Sequence, residues 1–275
     1  MIDSTTLILV TLLLYTSAAC CLLYGMIQPR ASLVRSAIAI GSVAALLHGI
    51  MLVSEMQSIQ AINADFFAAL SLVSFIIVVI LLLTAVRLPV TEILPIAFFG
   101  AVLMILIKAL IGPEPSPLAL DHRLLEVHVI SSLLAYGVLS IAAINAIFIS
   151  AQHNILHRHL RSGLAEVLPP LTTMESVLFK LILTGWLLLT VSLASGIVFI
   201  DSLFAQHLAH KTVLSILAWL IFGLMLFGRR RFGWRGMRMV RLCLIGMAVL
   251  LLAYFGSKAV LEIVLDRRWQ SLDGA

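Results

Sequence analysis

The chain is too apolar to fold as a water-soluble domain. Of its 275 residues, 62% are hydrophobic and only 11% are charged, whereas soluble domains carry about 25% charged residues. Its mean hydropathy is +1.14, and a bilayer is the solvent that accepts so much apolar surface. The net charge of +5 comes from basic residues in the short gaps between apolar runs, a pattern typical of membrane orientation. We therefore expect membrane lipid, and no nucleic acid, as a partner.

Eight apolar runs follow one another, each close to the roughly 20 residues that span a bilayer as a helix. In chain order they cover about residues 5–27, 34–54, 66–87, 91–111, 125–150, 178–200, 211–228 and 237–265. No basic segment precedes the first run and no small-residue cleavage site follows it, which favours a retained helix over a signal peptide. The sequence predicts an all-α polytopic membrane protein of about eight transmembrane helices, forming a single integral membrane domain over residues 1–275.

The basic residues predict the direction of these helices. The gaps after the first, third, fifth and seventh runs hold eleven of the 18 Lys and Arg residues, six of them between positions 229 and 241. The remaining gaps and tails hold fewer basic residues and more acidic ones. The positive-inside rule places the arginine-rich gaps in the cytoplasm. Both chain termini are then expected outside.

The histidines fall into two groups once this direction is assigned. His153 and His157 lie in the cytoplasmic gap, where we expect an amphipathic extension of the fifth helix. His48, His128 and His210 come from three helices and lie at a similar depth in the outward half. Neutral imidazole is a good ligand for iron, and a histidine inside a membrane suggests a functional site. We expect a shared site; the alternative is that each histidine bonds to a neighbouring helix.

Three polar residues accompany these histidines. Ser132 and Tyr136 lie four and eight residues after His128, on one helix face. They can orient a ligand or satisfy each other. Lys211 follows His210 and can pair with a haem propionate or anchor the helix at the interface. The sequence contains no nucleotide-binding glycine loop, HExxH or GxSxG motif, so we expect no enzymatic activity.

Several stretches match a known family. They are His128-Val129 with Ser132 and Ala135-Tyr136, and residues 169–176, 211–215, 218–222, 233–236 and 253–258. Over about residues 66–265 the chain resembles the cytochrome c assembly family of the CcsA/CcmC type, closest to its YpjD and HemX-like inner-membrane branch.

The resemblance implies a haem-binding protein of the bacterial cytoplasmic (inner) membrane that assists cytochrome c biogenesis or haem handling and export. It implies haem b as cofactor, with His128 as the axial ligand that matches best and His210 or His48 beside it. The implied partners are other cytochrome c maturation or haem-synthesis proteins. Two other readings stay open: a membrane scaffold or regulator of haem synthesis, and a small-solute transporter.

One departure from the family narrows this expectation. The haem-presenting members carry a tryptophan-rich outward loop, and the corresponding residues 201–211 clearly keep only its lysine, Lys211. We therefore expect haem handling without a complete haem-to-apocytochrome ligase.

Overall fold

A computed structural model describes residues 4–28, 30–63, 65–85, 88–112, 115, 117–118, 123–157, 168–199 and 209–253. Its helices are α1 (Ser4–Ile27), α2 (Ala31–Ile59), α3 (Phe66–Thr84), α4 (Leu94–Ile111), α5 (Arg123–His157), α6 (Leu171–Phe199), α7 (Ala209–Phe232) and α8 (Met237–Leu251). A 3-10 turn, Thr91–Ile93, precedes α4, and two-residue strands β1 (Ile62–Asn63) and β2 (Pro117–Leu118) pair antiparallel. Helices make up nearly all of this structure, which confirms the all-α class.

The helices have the length that a membrane requires. In the described part of the chain, seven helices, α1 to α7, are long and apolar enough to cross a bilayer. Helix α8 has 15 residues up to Leu251, and the rest of the predicted eighth span lies outside the described residues. A multi-pass membrane protein follows from these helices, because apolar segments in lipid must satisfy their backbone groups internally. Eight spans and two outside termini stay predictions.

Several helices extend beyond the predicted apolar runs. Helix α6 begins at Leu171 rather than near position 178, and α2 continues to Ile59. Helix α5 has 35 residues and reaches His157, so it is about 52 Å long and exceeds the roughly 30 Å hydrocarbon core. The predicted extension of the fifth helix is therefore confirmed up to His157.

The chain divides into two compact units. The first comprises Met1–Ala119 with Gln152–Thr173. In this first unit α1 packs on α2 and α4, and α3 packs on α4 and α2. The Phe98 side chain of α4 reaches the α2 backbone at Gly41. At Gly41 an added Cβ would lie 2.3 Å from Cζ of Phe98, so only glycine fits there.

Polar residues near the helix ends of the first unit bond to one another and to the backbone. Glu55 at the end of α2 forms an ion pair with Lys108 of α4, and the Asn63 side chain donates to Glu55 Oε1 at 2.7 Å. Asp65 caps α3 by accepting hydrogen bonds from the backbone N–H groups of Phe67 and Ala68. These bonds satisfy the charged and polar groups at helix ends that would otherwise be costly next to lipid.

The second unit comprises Leu120–Ala151 with Met174–Ala275. Helices α7 and α8 pack together. Helix α6 packs on α7 through stacked Trp186 and Trp219 rings, whose centroids are 5.4 Å apart. The Trp186 indole N–H donates to the Trp219 carbonyl at 3.1 Å, and the Trp219 indole N–H donates to Thr190 Oγ1 at 2.8 Å. Paired indoles thus satisfy their own polar groups between two apolar helices.

Candidate functional site

His128 of α5 makes a defined contact with α6 in the second unit. Its Nδ1 lies 2.8 Å from the backbone carbonyl oxygen of Ser192. A carbonyl oxygen only accepts hydrogen bonds, so Nδ1 carries the proton and donates it. In the neutral ring Nε2 then keeps a lone pair. Within the described part of the chain Nε2 makes no hydrogen bond.

Small residues of α6 leave room for the His128 ring and position it. An added Cβ at Gly196 would lie 3.1 Å from both Cε1 and Nδ1 of His128, a contact tighter than ordinary packing. The hydroxyl of Ser195 donates to the same Ser192 carbonyl at 3.0 Å. The ring is half-buried. The α6 surface of Ser192, Ser195 and Gly196 therefore fixes both the tautomer and the orientation of His128.

His48 of α2 has a different environment, in the first unit. Its Nε2 lies 3.1 Å from the hydroxyl of Ser71, and its Nδ1 lies 3.5 Å from the hydroxyl of Tyr15. The ring is 1% exposed and meets the edge of Phe75 with centroids 5.4 Å apart. Both ring nitrogens face hydroxyl groups, so ligation through Nε2 requires the Ser71 contact to open. Its role as a haem ligand stays a prediction.

The backbone of His210 lies in the first turn of α7, as expected, but its side chain is outside the described residues. Lys211 follows it and is half-buried. Of residues 201–211, which correspond to the tryptophan-rich loop, positions 201–208 with His207 also lie outside the described residues, as does His122.

Ser132 and Tyr136 bond to backbone carbonyls. The Ser132 hydroxyl donates to the Val129 carbonyl of its own helix at 2.9 Å. The Tyr136 hydroxyl donates to the Leu250 carbonyl at 2.7 Å, which joins α5 to α8. The expectation that the two residues orient a ligand stays a prediction, and these bonds show what each hydroxyl does in the structure described.

Sequence reasoning missed Ser192 and Gly196. A signal exists, because residues 192–196 read Ser-Leu-Ala-Ser-Gly. Small residues at such spacing favour close packing between membrane helices. The run indicates that α6 accepts a neighbour here, but it does not indicate that the neighbour is a histidine.

The described donor atoms around His128 are compatible with a haem group. Among the residues that the structure describes, no three His, Cys, Asp or Glu side chains come together. A single imidazole is too few ligands for a zinc site, which takes three or four protein ligands. Haem iron takes one or two axial ligands from the protein. The oriented Nε2 of His128 therefore suits haem.

Comparisons with known proteins give the chain its family. The family model described as Cytochrome C assembly protein matches residues 36–265. The match begins at residue 36 rather than near 66, and so takes in most of α2 with His48.

Two relatives are similar to the chain. Inner membrane protein YpjD of Escherichia coli strain K12 is 28% identical over 264 residues, covering 93% of this chain and 98% of the relative. An Azospirillum brasilense protein, described as an uncharacterized 28.8 kDa protein in the nifR3-like 5' region, is 29% identical over 143 residues, 51% of this chain and 53% of its own. No solved structure matches significantly. Because the family model covers most of its length, the chain belongs to the cytochrome c assembly protein family.

Proposed function

We propose that the chain is a haem-binding protein of the bacterial inner membrane that assists cytochrome c biogenesis or haem handling. Membership of the cytochrome c assembly family and similarity to an inner membrane protein support the biological setting. The observation that carries the haem proposal is the 2.8 Å bond between His128 Nδ1 and the Ser192 carbonyl. This bond supports the proposal that Nε2 of His128 is an axial ligand.

The Ser192 bond has two chemical effects on His128. A donated Nδ1–H fixes the ring orientation, and it makes Nε2 a more basic ligand. A bound haem would supply an iron already held by its porphyrin, so the chain would need to provide only one or two further donors. Helix α6 contributes the contacts that orient the His128 ring of α5 before the ligand arrives, which lowers the cost of binding.

We assign the second axial position to His210. His210 belongs to the same unit as His128, and Lys211 beside it offers a cation for a propionate. His48 is the less favoured candidate, since both of its ring nitrogens already face hydroxyl groups. The departure from the family at residues 201–211 argues against complete transfer of haem to apocytochrome.

Haem content tests the proposal with a control on the same helix. The full-length protein is purified in detergent from haem-replete cells, and its haem is measured as the reduced pyridine haemochrome. His128→Ala is expected to lose most of the haem. The control variant His153→Ala/His157→Ala changes two histidines near the other end of α5 and is expected to keep the wild-type content. Wild-type protein without haem, or unchanged haem in His128→Ala, contradicts the proposal.

A scaffold or regulator of haem synthesis is the second candidate. The observation that favours it is His48, whose two ring nitrogens each face a hydroxyl in the core, as expected for a structural histidine. This reading predicts that replacing His48, His128 and His210 together leaves the cellular phenotype unaltered. It also predicts that affinity purification recovers a protein partner.

A further inference from the structure

The turn between α7 and α8 has a fixed backbone. Gly233 and Gly236 have φ angles of 65° and 62°, in the left-handed region that glycine adopts without strain. The Trp234 ring covers Gly228, where an added Cβ would lie 2.3 Å from Cε3 of Trp234. The backbone N–H of Gly236 donates to Glu175 Oε1 at 3.0 Å. The turn is therefore held from both sides rather than being a loose connection.

This turn carries a dense set of arginines. Five of them are exposed: Arg230, Arg231, Arg235, Arg238 and Arg241. The guanidinium of Arg238 lies 5.2 Å from the Trp234 ring centroid, which orients it. Within the described residues none of the five forms an ion pair with a carboxylate. Their positive charge is therefore left for an anionic partner.

Exposed apolar stripes run from these arginines along both helices. On α7 the stripe is Leu217, Leu220, Leu224 and Phe227, and it ends at Arg231. On α8 it begins at Arg238 and Arg241 and continues through Ile245 and Ala248 to Leu252, the residue that caps the helix. Both stripes follow alternating steps of three and four residues, which keeps their members on one helix face.

The exposed arginines and the apolar stripes together indicate one class of partner. A free phosphate or a nucleic acid needs the guanidinium groups but not the apolar stripes. A phospholipid needs both, because its phosphate lies directly above its acyl chains. Arginine suits the phosphate, since its planar fork donates two parallel hydrogen bonds.

We propose that Arg231 and Arg238, at the heads of the two stripes, bind the phosphate of an anionic phospholipid whose acyl chains lie along α7 and α8. Arg235, on the turn between them, adds a third cation. By the positive-inside rule this site faces the cytoplasmic leaflet. The site is independent of haem binding.

Native mass spectrometry of the full-length protein in detergent tests this site. The probes are cardiolipin, phosphatidylglycerol, phosphatidylethanolamine and inorganic phosphate. We expect the two anionic lipids to bind, and phosphatidylethanolamine and inorganic phosphate to bind at least tenfold more weakly. The proposal is overturned if phosphatidylethanolamine or inorganic phosphate binds as strongly as the two anionic lipids do.

Matched variants distinguish a defined lipid-binding site from a general effect of positive charge on lipid binding. Each basic residue near an anionic surface contributes roughly fivefold in affinity, so Arg231→Gln/Arg238→Gln is expected to bind about thirtyfold more weakly. The control Arg30→Gln/Arg35→Gln removes the same charge from two exposed arginines of the first unit and is expected to bind as wild type does. An equal loss in both variants contradicts a defined site.

A charge-conserving variant covers the case in which the glutamine variant does not insert or fold. Arg231→Lys/Arg238→Lys keeps the positive charge that orients the helices and removes the guanidinium forks. We expect at least fivefold weaker binding of anionic lipid. Wild-type affinity in this variant overturns the proposal.

Discussion

Replacing Gly196 by alanine tests whether the α6 surface positions His128 for haem. The added Cβ would lie 3.1 Å from both Cε1 and Nδ1 of the His128 ring, so the ring must move by a few tenths of an ångström. The 2.8 Å bond from Nδ1 to the Ser192 carbonyl then stretches toward the limit of hydrogen bonding. Loss of such a bond behind a metal-binding histidine costs about 10- to 100-fold in metal affinity. Because the bond is stretched rather than removed, we expect about tenfold weaker haem binding.

Folding stability is expected to change little in the same variant. Alanine in a helix is favoured over glycine by about 1 kcal/mol, which offsets much of the steric cost of the tight contact. Gly100→Ala on α4 is the matched control, since an added Cβ there meets nothing within 4 Å. The assay is a haem titration by absorbance, with thermal unfolding in detergent run in parallel. Equal haem affinity in Gly196→Ala, Gly100→Ala and wild type refutes the positioning role of α6.

Two further predictions concern packing within each unit. Gly41→Ala is expected to lower the free energy of unfolding by about 1–3 kcal/mol, because its Cβ would lie 2.3 Å from Cζ of Phe98. Denaturation in SDS measures this loss of stability. A loss no larger than that of Gly100→Ala contradicts the prediction. Trp219→Phe keeps the aromatic contact but removes the 2.8 Å bond to Thr190, so we expect a loss of about 0.6 kcal/mol, and unchanged unfolding would show that this bond contributes nothing.

The sequence predicts the helices well because lipid imposes a strong rule on them. Apolar runs of about 20 residues must be helical in a bilayer, and each described helix overlaps its predicted run. Helix ends are less predictable. Helix α6 begins at Leu171 because backbone hydrogen bonding continues beyond the apolar run, where hydropathy falls.

The candidate site is only half predictable, and the reason is geometric. His128 can be selected from the sequence because a histidine is unusual in an apolar run. Its partner Ser192 is 64 residues away, and the contact depends on how α5 and α6 are rotated against each other. The same holds for His48, whose contacts Tyr15 and Ser71 come from α1 and α3.

Rescue by free imidazole tests the assignment of His128 as an axial ligand most directly. His128→Gly removes the ligand and leaves a space for imidazole at the α6 surface. We predict that this variant loses the haem absorbance of the wild type and that millimolar imidazole restores it, while imidazole leaves the wild-type spectrum unchanged. A wild-type haem spectrum in His128→Gly without imidazole would contradict the account, because the iron would then be bound through other residues.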